Sequence, residues 1–265
     1  MTDTAKNEKI NLSILISLLS LRFVLLFLSH INFIDSNLGL IIYLLGTFIL
    51  TGLFICKNIE NLSLFNISGF AIFLFLFSPV FSIISDPYNF IAYINIPIAI
   101  IFGVYLFRKK KELTLTKTLT NKLAGNIVIT LIITAAIIAI GVFIKEFKGG
   151  DNLDTLNLEW IIHQLLFQLS FAAIMEEPLF RGFLWGYLKK YKLRDISICI
   201  IQALLFWFGH IYYMDTGLNF WIWHPIAAFL FGLIIVKTKN IAYSLGAHAL
   251  VNTVAQIFMF YYKVL

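Results

Sequence analysis

Apolar runs of helical length recur along almost the whole of this chain, and they leave it few ways to fold. Nine candidate segments stand out, at roughly 10–33, 39–56, 64–84, 90–107, 123–144, 158–188, 195–212, 220–236 and 241–262. A helix of about 20 apolar residues spans the hydrocarbon core of a bilayer. Lipid offers the backbone no hydrogen bonds, so only helices and closed barrels can cross it. No segment alternates with the period of two that a barrel needs. The chain is 60% hydrophobic and 13% charged, against about 25% charged residues in a soluble domain. The expectation is an all-α, polytopic transmembrane helical bundle of about 8–9 helices. The 90–107 segment is the weakest, because it carries Asn95 and Pro97. The loops are short and leave little room for a soluble domain.

The first apolar run is longer than the core of a signal peptide and lacks a clear small-residue cleavage site, so it reads as a span. With a cytoplasmic amino terminus, fifteen lysines and arginines fall on the inner side: Lys6, Lys9, Lys57, Arg108, Lys109, Lys110, Lys111, Lys117, Lys122, Lys189, Lys190, Lys192, Arg194, Lys237 and Lys239. Three fall outside, Lys145, Lys148 and Lys263, while Arg22 and Arg181 lie within spans. This bias sets the orientation and places the chain as a multi-pass protein of, in expectation, a bacterial cell membrane. It also accounts for the net charge of +6 without nucleic acid as a partner. The block Arg108–Lys111, with Lys117 and Lys122, reads first as a topology signal, with anionic lipid head groups as the other candidate. Cys56 and Cys199 read as small apolar-environment residues, not as a disulfide or metal pair. A break at Lys148, Gly149, Gly150 and Asp151 divides the chain into 1–150, amino-terminal helices of unassigned role, and 151–265, which holds nearly all the intramembrane polar residues. Arg22, the exception, is expected to snorkel or to pair locally.

An ionised side chain at bilayer depth costs at least a few kcal/mol, about 2.5–3.5 on insertion scales, and persists only against protein or water. Glu176 and Glu177 are adjacent in such a place, which predicts an intramembrane polar chamber. Glu177 and Arg181 are four apart and share a helix face, so they pair; Glu176 is turned about 100° away and is free for chemistry. Pro178 is expected to kink the helix beside them. Phe206 and His210, like His248 and Asn252, are also four apart. Counted from the nearest inner basic residue at 1.5 Å per residue, Glu176, His210 and His248 lie about 20, 24 and 14 Å deep, close enough to converge. A buried carboxylate opposite two imidazoles can take a proton from a water that one imidazole holds. His248 and the Asn252 amide are donors suited to an oxyanion. No serine or cysteine sits in a comparable constellation. One glutamate and two histidines can also form an open zinc site, although the HExxH spacing is absent; zinc is possible but not favoured, and no cofactor is expected.

These residues resemble a known family. Glu176-Glu177-x-x-x-Arg181 with the flanking Phe180-Arg181-Gly182, then Phe206-x-x-x-His210, then His248-x-x-x-Asn252, look like the motifs of the CAAX prenyl protease type 2 and bacteriocin-processing (CPBP) family. The resemblance covers roughly residues 155–260. It implies an intramembrane glutamate endopeptidase that hydrolyses a peptide bond with an activated water. Glu176 would be the base, His210 its water-orienting partner, and His248 with Asn252 the oxyanion stabilisers, supported by Glu177 and Arg181. The implied partner is a membrane-delivered peptide or protein substrate, either lipidated or a bacteriocin or pheromone precursor. The alternative is a non-enzymatic immunity or scaffold protein, or a proton-coupled transporter. His224, beside Trp221 and Trp223, reads as an interfacial residue, and His163 and His30 as structural.

Overall fold

A computed structural model describes residues 3–109, 120–144, 157–170 and 172–262. Every regular element among the described residues is helical. The order is α1 (Asp3–Ser20), a π-helical turn (Leu21–Leu25), α2 (Leu26–His30), α3 (Ser36–Lys57), a 3-10 segment (Ile59–Phe65), α4 (Gly69–Ser85), α5 (Phe90–Arg108) and α6 (Thr120–Ile144). The second half runs α7 (Leu158–Ser170), α8 (Ala172–Glu177), a π-helical segment (Pro178–Leu184), α9 (Trp185–Lys190) and α10 (Asp195–Phe208). A 3-10 segment (Ile211–Thr216) and a π-helical turn (Asn219–Trp223) then lead to α11 (His224–Thr238) and α12 (Ile241–Tyr262).

Among the described residues, six helices are long and apolar enough to cross a membrane, or seven if the 3-10 segment and α4, bent by 100°, count as one span. Each of the nine expected segments is largely helical among its described residues, including α5, which continues through Pro97. The differences lie within segments. The helix expected over 158–188 contains a π-helical segment, Pro178–Leu184, among its described residues. The rod expected over 195–212 stops at Phe208, because Gly209 caps it and His210 leaves helical geometry at φ −111°, ψ 18°.

The polar ends of the helices are closed by short side chains that accept from otherwise orphaned amides. Asp35 accepts from the Leu38 amide at 2.9 Å, and Ser68 from that of Ala71 at 3.2 Å. The middle is aromatic. Phe54 stacks on Phe183 at 3.8 Å between ring centroids, Phe48 on Phe75 at 4.6 Å, and Phe180 meets Phe206 edge-on at 5.3 Å. Outward faces are apolar too, with Ile100, Ile101 and Ile132 exposed. A bundle that is apolar outside and carries its charges inside is the inverse of a water-soluble one, as lipid requires.

The segment Pro178–Leu184 is the central post, with all seven residues buried. The elbow before α4 clasps it. Asn66, in left-handed geometry at φ 56°, donates its side-chain amide to the Arg181 carbonyl at 3.1 Å. Its own carbonyl accepts from the Ile241 amide at 2.8 Å, tying the start of α12 to the same elbow. The amino-terminal helices therefore pack directly on the carboxy-terminal ones. The break at Lys148–Asp151 lies outside the described residues, as do Lys110, Lys111, Lys117, Lys145 and Lys263.

One end of the bundle gathers the bases. Asp195 receives Lys189 at 2.8 Å and Lys239 at 2.5 Å, Glu8 faces Lys190 at 3.5 Å, and Lys57 donates to Asn7 at 3.3 Å. Partial burial pushes the Asp195 carboxyl upwards, but hydrogen bonds and charge from the two lysines outweigh it and hold the group below the ordinary carboxylate range.

Candidate active site

The chamber expected from the paired glutamates exists. A cavity of ≈ 420 Å³ is lined by Glu176, His210, His248 and Asn252, together with Arg22, Tyr43, Gln168 and the aromatic residues of the 211–224 region. The C-terminal end of α8 delivers Glu176, the residue that follows the Gly209 cap of α10 is His210, and one face of α12 delivers His248 and Asn252. Arg22, Glu176, His210 and His248 are all buried.

Glu176 sits between the two imidazoles. Its Oε1 is 3.6 Å from His210 Nε2, and its Oε2 is 3.8 Å from His248 Nε2. The nearest group, however, is Arg22: its Nη2 lies 2.7 Å from Glu176 Oε1 and 2.8 Å from His210 Nε2. The expectation that Arg22 snorkels or pairs locally is thereby corrected. It reaches across the bundle, because its position within the π-helical turn faces protein and a buried guanidinium must find a carboxylate. Gly209 makes room for it, since a Cβ there would stand 3.3 Å from Arg22 Nε. Tyr43, 3.5 Å from Arg22 Nη1, closes the group from α3. The amino-terminal half, whose role the sequence left unassigned, thus supplies two walls of the chamber.

The hydrogen bonds fix both imidazoles. A carbonyl only accepts, so the 2.7 Å contact between His210 Nδ1 and the Phe206 carbonyl puts the hydrogen on Nδ1. Nε2 then offers its lone pair to Arg22. His248 is set the same way by a carboxylate, with Nδ1 2.9 Å from Glu177 Oε1. Its Nε2 therefore faces Glu176 and the chamber as an acceptor in the neutral ring, and as a donor only once the ring is doubly protonated.

Glu177 and Arg181 lie behind this surface and do not line the cavity. Arg181 Nη1 is 3.3 Å from Glu177 Oε1, and Nη2 donates to the Ala228 carbonyl at 3.2 Å. The guanidinium lies 4.3 Å from the Phe206 ring centroid, a cation–π contact that partly replaces lost hydration. Ser244 donates to Glu177 Oε2 at 2.5 Å. The sequence spacing signalled this, since Ser244 is four residues before His248, but a buried serine in an apolar helix is a weak signal alone. Asn252 does not bond to His248. It donates to Gln168 Oε1 at 3.0 Å, a partner not foreseen, and its amide faces the cavity from there.

At Pro178, where a kink was expected, the helix passes into a π-helical segment. The residues on either side of the π-helical segment, Glu177 and Trp185, keep right-handed helical angles. The missing proline donor is absorbed in the wider turn. His224, read as interfacial, lines the chamber, and its Nδ1 lies 2.8 Å from the Asn219 carbonyl. Among the described residues, no group of three or more His, Cys, Asp or Glu side chains is arranged to hold a metal ion.

Residues 158–254 match a protein-family model described as type II CAAX prenyl endopeptidase Rce1-like. No curated protein and no solved structure matches the chain.

Proposed function

We propose, from the match of residues 158–254 to the type II CAAX prenyl endopeptidase Rce1-like family model, that the chain hydrolyses a peptide bond inside the membrane with Glu176 as the base. The observation that carries this reading is a carboxylate held between two imidazoles on the wall of a buried chamber. Glu176 takes a proton from a water molecule as the water oxygen bonds to the scissile carbonyl carbon. The same proton later passes to the departing amine. His210 and His248 flank the reacting atoms, and Glu177 holds His248 in one tautomer through Nδ1, the task carboxylates perform behind imidazoles in hydrolytic sites generally. The substrate enters from the membrane as a peptide whose apolar part, a lipid chain or an apolar leader, stays in the bilayer.

The test uses purified protein in proteoliposomes with a fluorogenic, farnesylated CAAX peptide and, in parallel, an unlipidated membrane-inserting peptide. Glu176→Gln keeps the volume and removes the base, so turnover is expected to fall by about 10²–10⁴-fold, the usual share of a general base. Cleavage of either peptide at the wild-type rate by that variant would remove Glu176 from the role of base, and a wild-type protein that cleaves neither peptide would leave the chamber a scaffold or proton-relay role.

A further inference from the structure

Resting on that hydrolytic reading, we propose that Arg22 is a catalytic residue: the fixed cation that receives the negative charge when the scissile carbonyl becomes an oxyanion. The residue lies on the amino-terminal helices, outside the matched segment 158–254, yet it makes the shortest contact to the Glu176 carboxylate.

Before reaction, Arg22 and Glu176 form a neutral pair in a buried space. In the first step the water oxygen donates a lone pair to the carbonyl carbon, and the carbonyl π electrons move onto its oxygen. The water proton moves onto Glu176. The carboxylate is thereby neutralised at the moment a new negative charge forms beside it. A guanidinium stays charged at any working pH, so after this step Arg22 is a buried cation without its counter-ion. An isolated buried charge is costly. The oxyanion removes that cost if the guanidinium turns from one oxygen to the other. When the intermediate collapses, the C–N bond breaks, the proton goes from Glu176 to the amine nitrogen, and the original ion pair re-forms. The net charge of the chamber is constant throughout, which is the condition for preorganised electrostatic stabilisation.

The geometry leaves Arg22 as the natural donor. His210 gives its Nδ1 hydrogen to the Phe206 carbonyl, and His248 gives its own to Glu177. Asn252 has one amide hydrogen committed to Gln168. Arg181 is shut behind Glu177 and does not reach the cavity. Among the described residues lining the chamber, Arg22 is the one permanent cation. Its Nη2 already serves two partners, and its Nε has none. Gly209 leaves backbone, without a side chain, beside the guanidinium stem, so a small rotation meets no obstacle there.

The experiment compares wild type, Arg22→Lys, Arg22→Gln and Glu176→Gln in proteoliposomes. The probes are the farnesylated peptide and its phosphinate analogue, a tetrahedral anion. Thermal midpoints establish that each variant is folded, and Arg22→Lys serves if the glutamine variant is not. For Arg22→Gln, kcat is expected to fall by about 10²–10³-fold with KM changed less than about threefold, the signature of a lost oxyanion donor. Phosphinate affinity should fall by a similar factor, while Arg22→Lys, which keeps the charge but not the fork, loses less. Glu176→Gln should bind the phosphinate at least as tightly as wild type, because its carboxylate no longer competes for Arg22. Turnover by Arg22→Gln at or above the wild-type rate overturns the proposal and makes the residue a clamp on the base. Parallel loss of substrate and phosphinate affinity also overturns it, in favour of a purely structural role. A wild-type chain that does not bind the phosphinate does the same. These results are separate from failure of the hydrolytic reading, which shows as no cleavage by wild type, and from failure of the Glu176 assignment, which shows as persistent cleavage by Glu176→Gln.

Discussion

Glu177 meets donors from three directions: the Ser244 hydroxyl at 2.5 Å, His248 Nδ1 at 2.9 Å and Arg181 Nη1 at 3.3 Å. It has two tasks, to neutralise a fully buried arginine and to orient the imidazole that faces the chamber, and these can be separated. Glu177→Gln leaves the Arg181 charge uncompensated, a loss of about 3–5 kcal/mol for a broken buried pair. It also removes the carboxylate behind His248, with turnover expected to fall at least about 10²-fold, by analogy with other carboxylate–imidazole pairs. Adding Arg181→Met to Glu177→Gln removes the orphaned charge. Thermal denaturation should show most of the lost stability restored, whereas the cleavage assay should show no recovery; recovery of both would reduce Glu177 to an ion-pair partner. The local spacings made the Glu177–Arg181 pair and the His248–Asn252 face legible, because helical periodicity is a short-range property. Arg22 was legible as an anomaly, being ionisable inside an apolar run, but its partner was not. The contact joins residues that only packing brings together, and no periodicity reports it. The tautomers of His210 and His248 were hidden for the same reason, since each is set by a neighbour the sequence does not name.

Among the elements, the post formed by α8, the π-helical segment and α9 decides where the two glutamates sit. It is held by close backbone approach as much as by side chains. Gly186 in α9 lies against the 3-10 segment, where a Cβ would stand 2.8 Å from the Leu64 carbonyl oxygen and 2.2 Å from Phe65 Cδ1. The Phe65 ring is itself buried edge-on against Phe54, and the carbonyl belongs to the backbone. Gly186→Ala is therefore expected to destabilise the fold by about 1–3 kcal/mol, the range for overpacking a filled core. A lowered thermal midpoint would report it; an unchanged midpoint would mean that the elbow yields freely and does not fix the post. The helical content of all nine apolar segments was readable from hydropathy. The division of 158–188 was not, because π-helical geometry changes no hydrophobic pattern. Pro178 announced a departure from regular helix but not its form. A widened turn absorbs the absent donor, and Phe180 and Phe183 are fully buried around it.

For the molecule as a whole, the chamber and the bases occupy opposite ends. Each lining helix repeats the pattern. Tyr43 lines the cavity while Lys57 ends the same helix, and His224 lines it while Lys237 closes α11. Lys189, Lys239 and Asp195 knit the basic end, where α9, α10 and α11 meet. At the other end the described loops carry Asp35, Asp86 and Asp215 and no lysine or arginine. Loops rich in lysine and arginine stay in the cytoplasm, so the Ile211–Thr216 segment, whose Tyr212 and Tyr213 line the chamber, is expected on the far side of the membrane. Single cysteines read this out in a background with Cys56→Ala and Cys199→Ala. Thr216→Cys should react with a membrane-impermeant maleimide in intact cells, and Lys192→Cys only after permeabilisation. Both positions are exposed, so access alone decides the result. The reverse pattern would put the chamber mouth in the cytoplasm and the basic cluster outside, against the charge rule. The expected pattern has a consequence for the chemistry: water and peptide reach Glu176 from the non-cytoplasmic side, so a soluble peptide added outside intact cells should compete with the membrane substrate, whereas the same peptide confined to the cytoplasm should not.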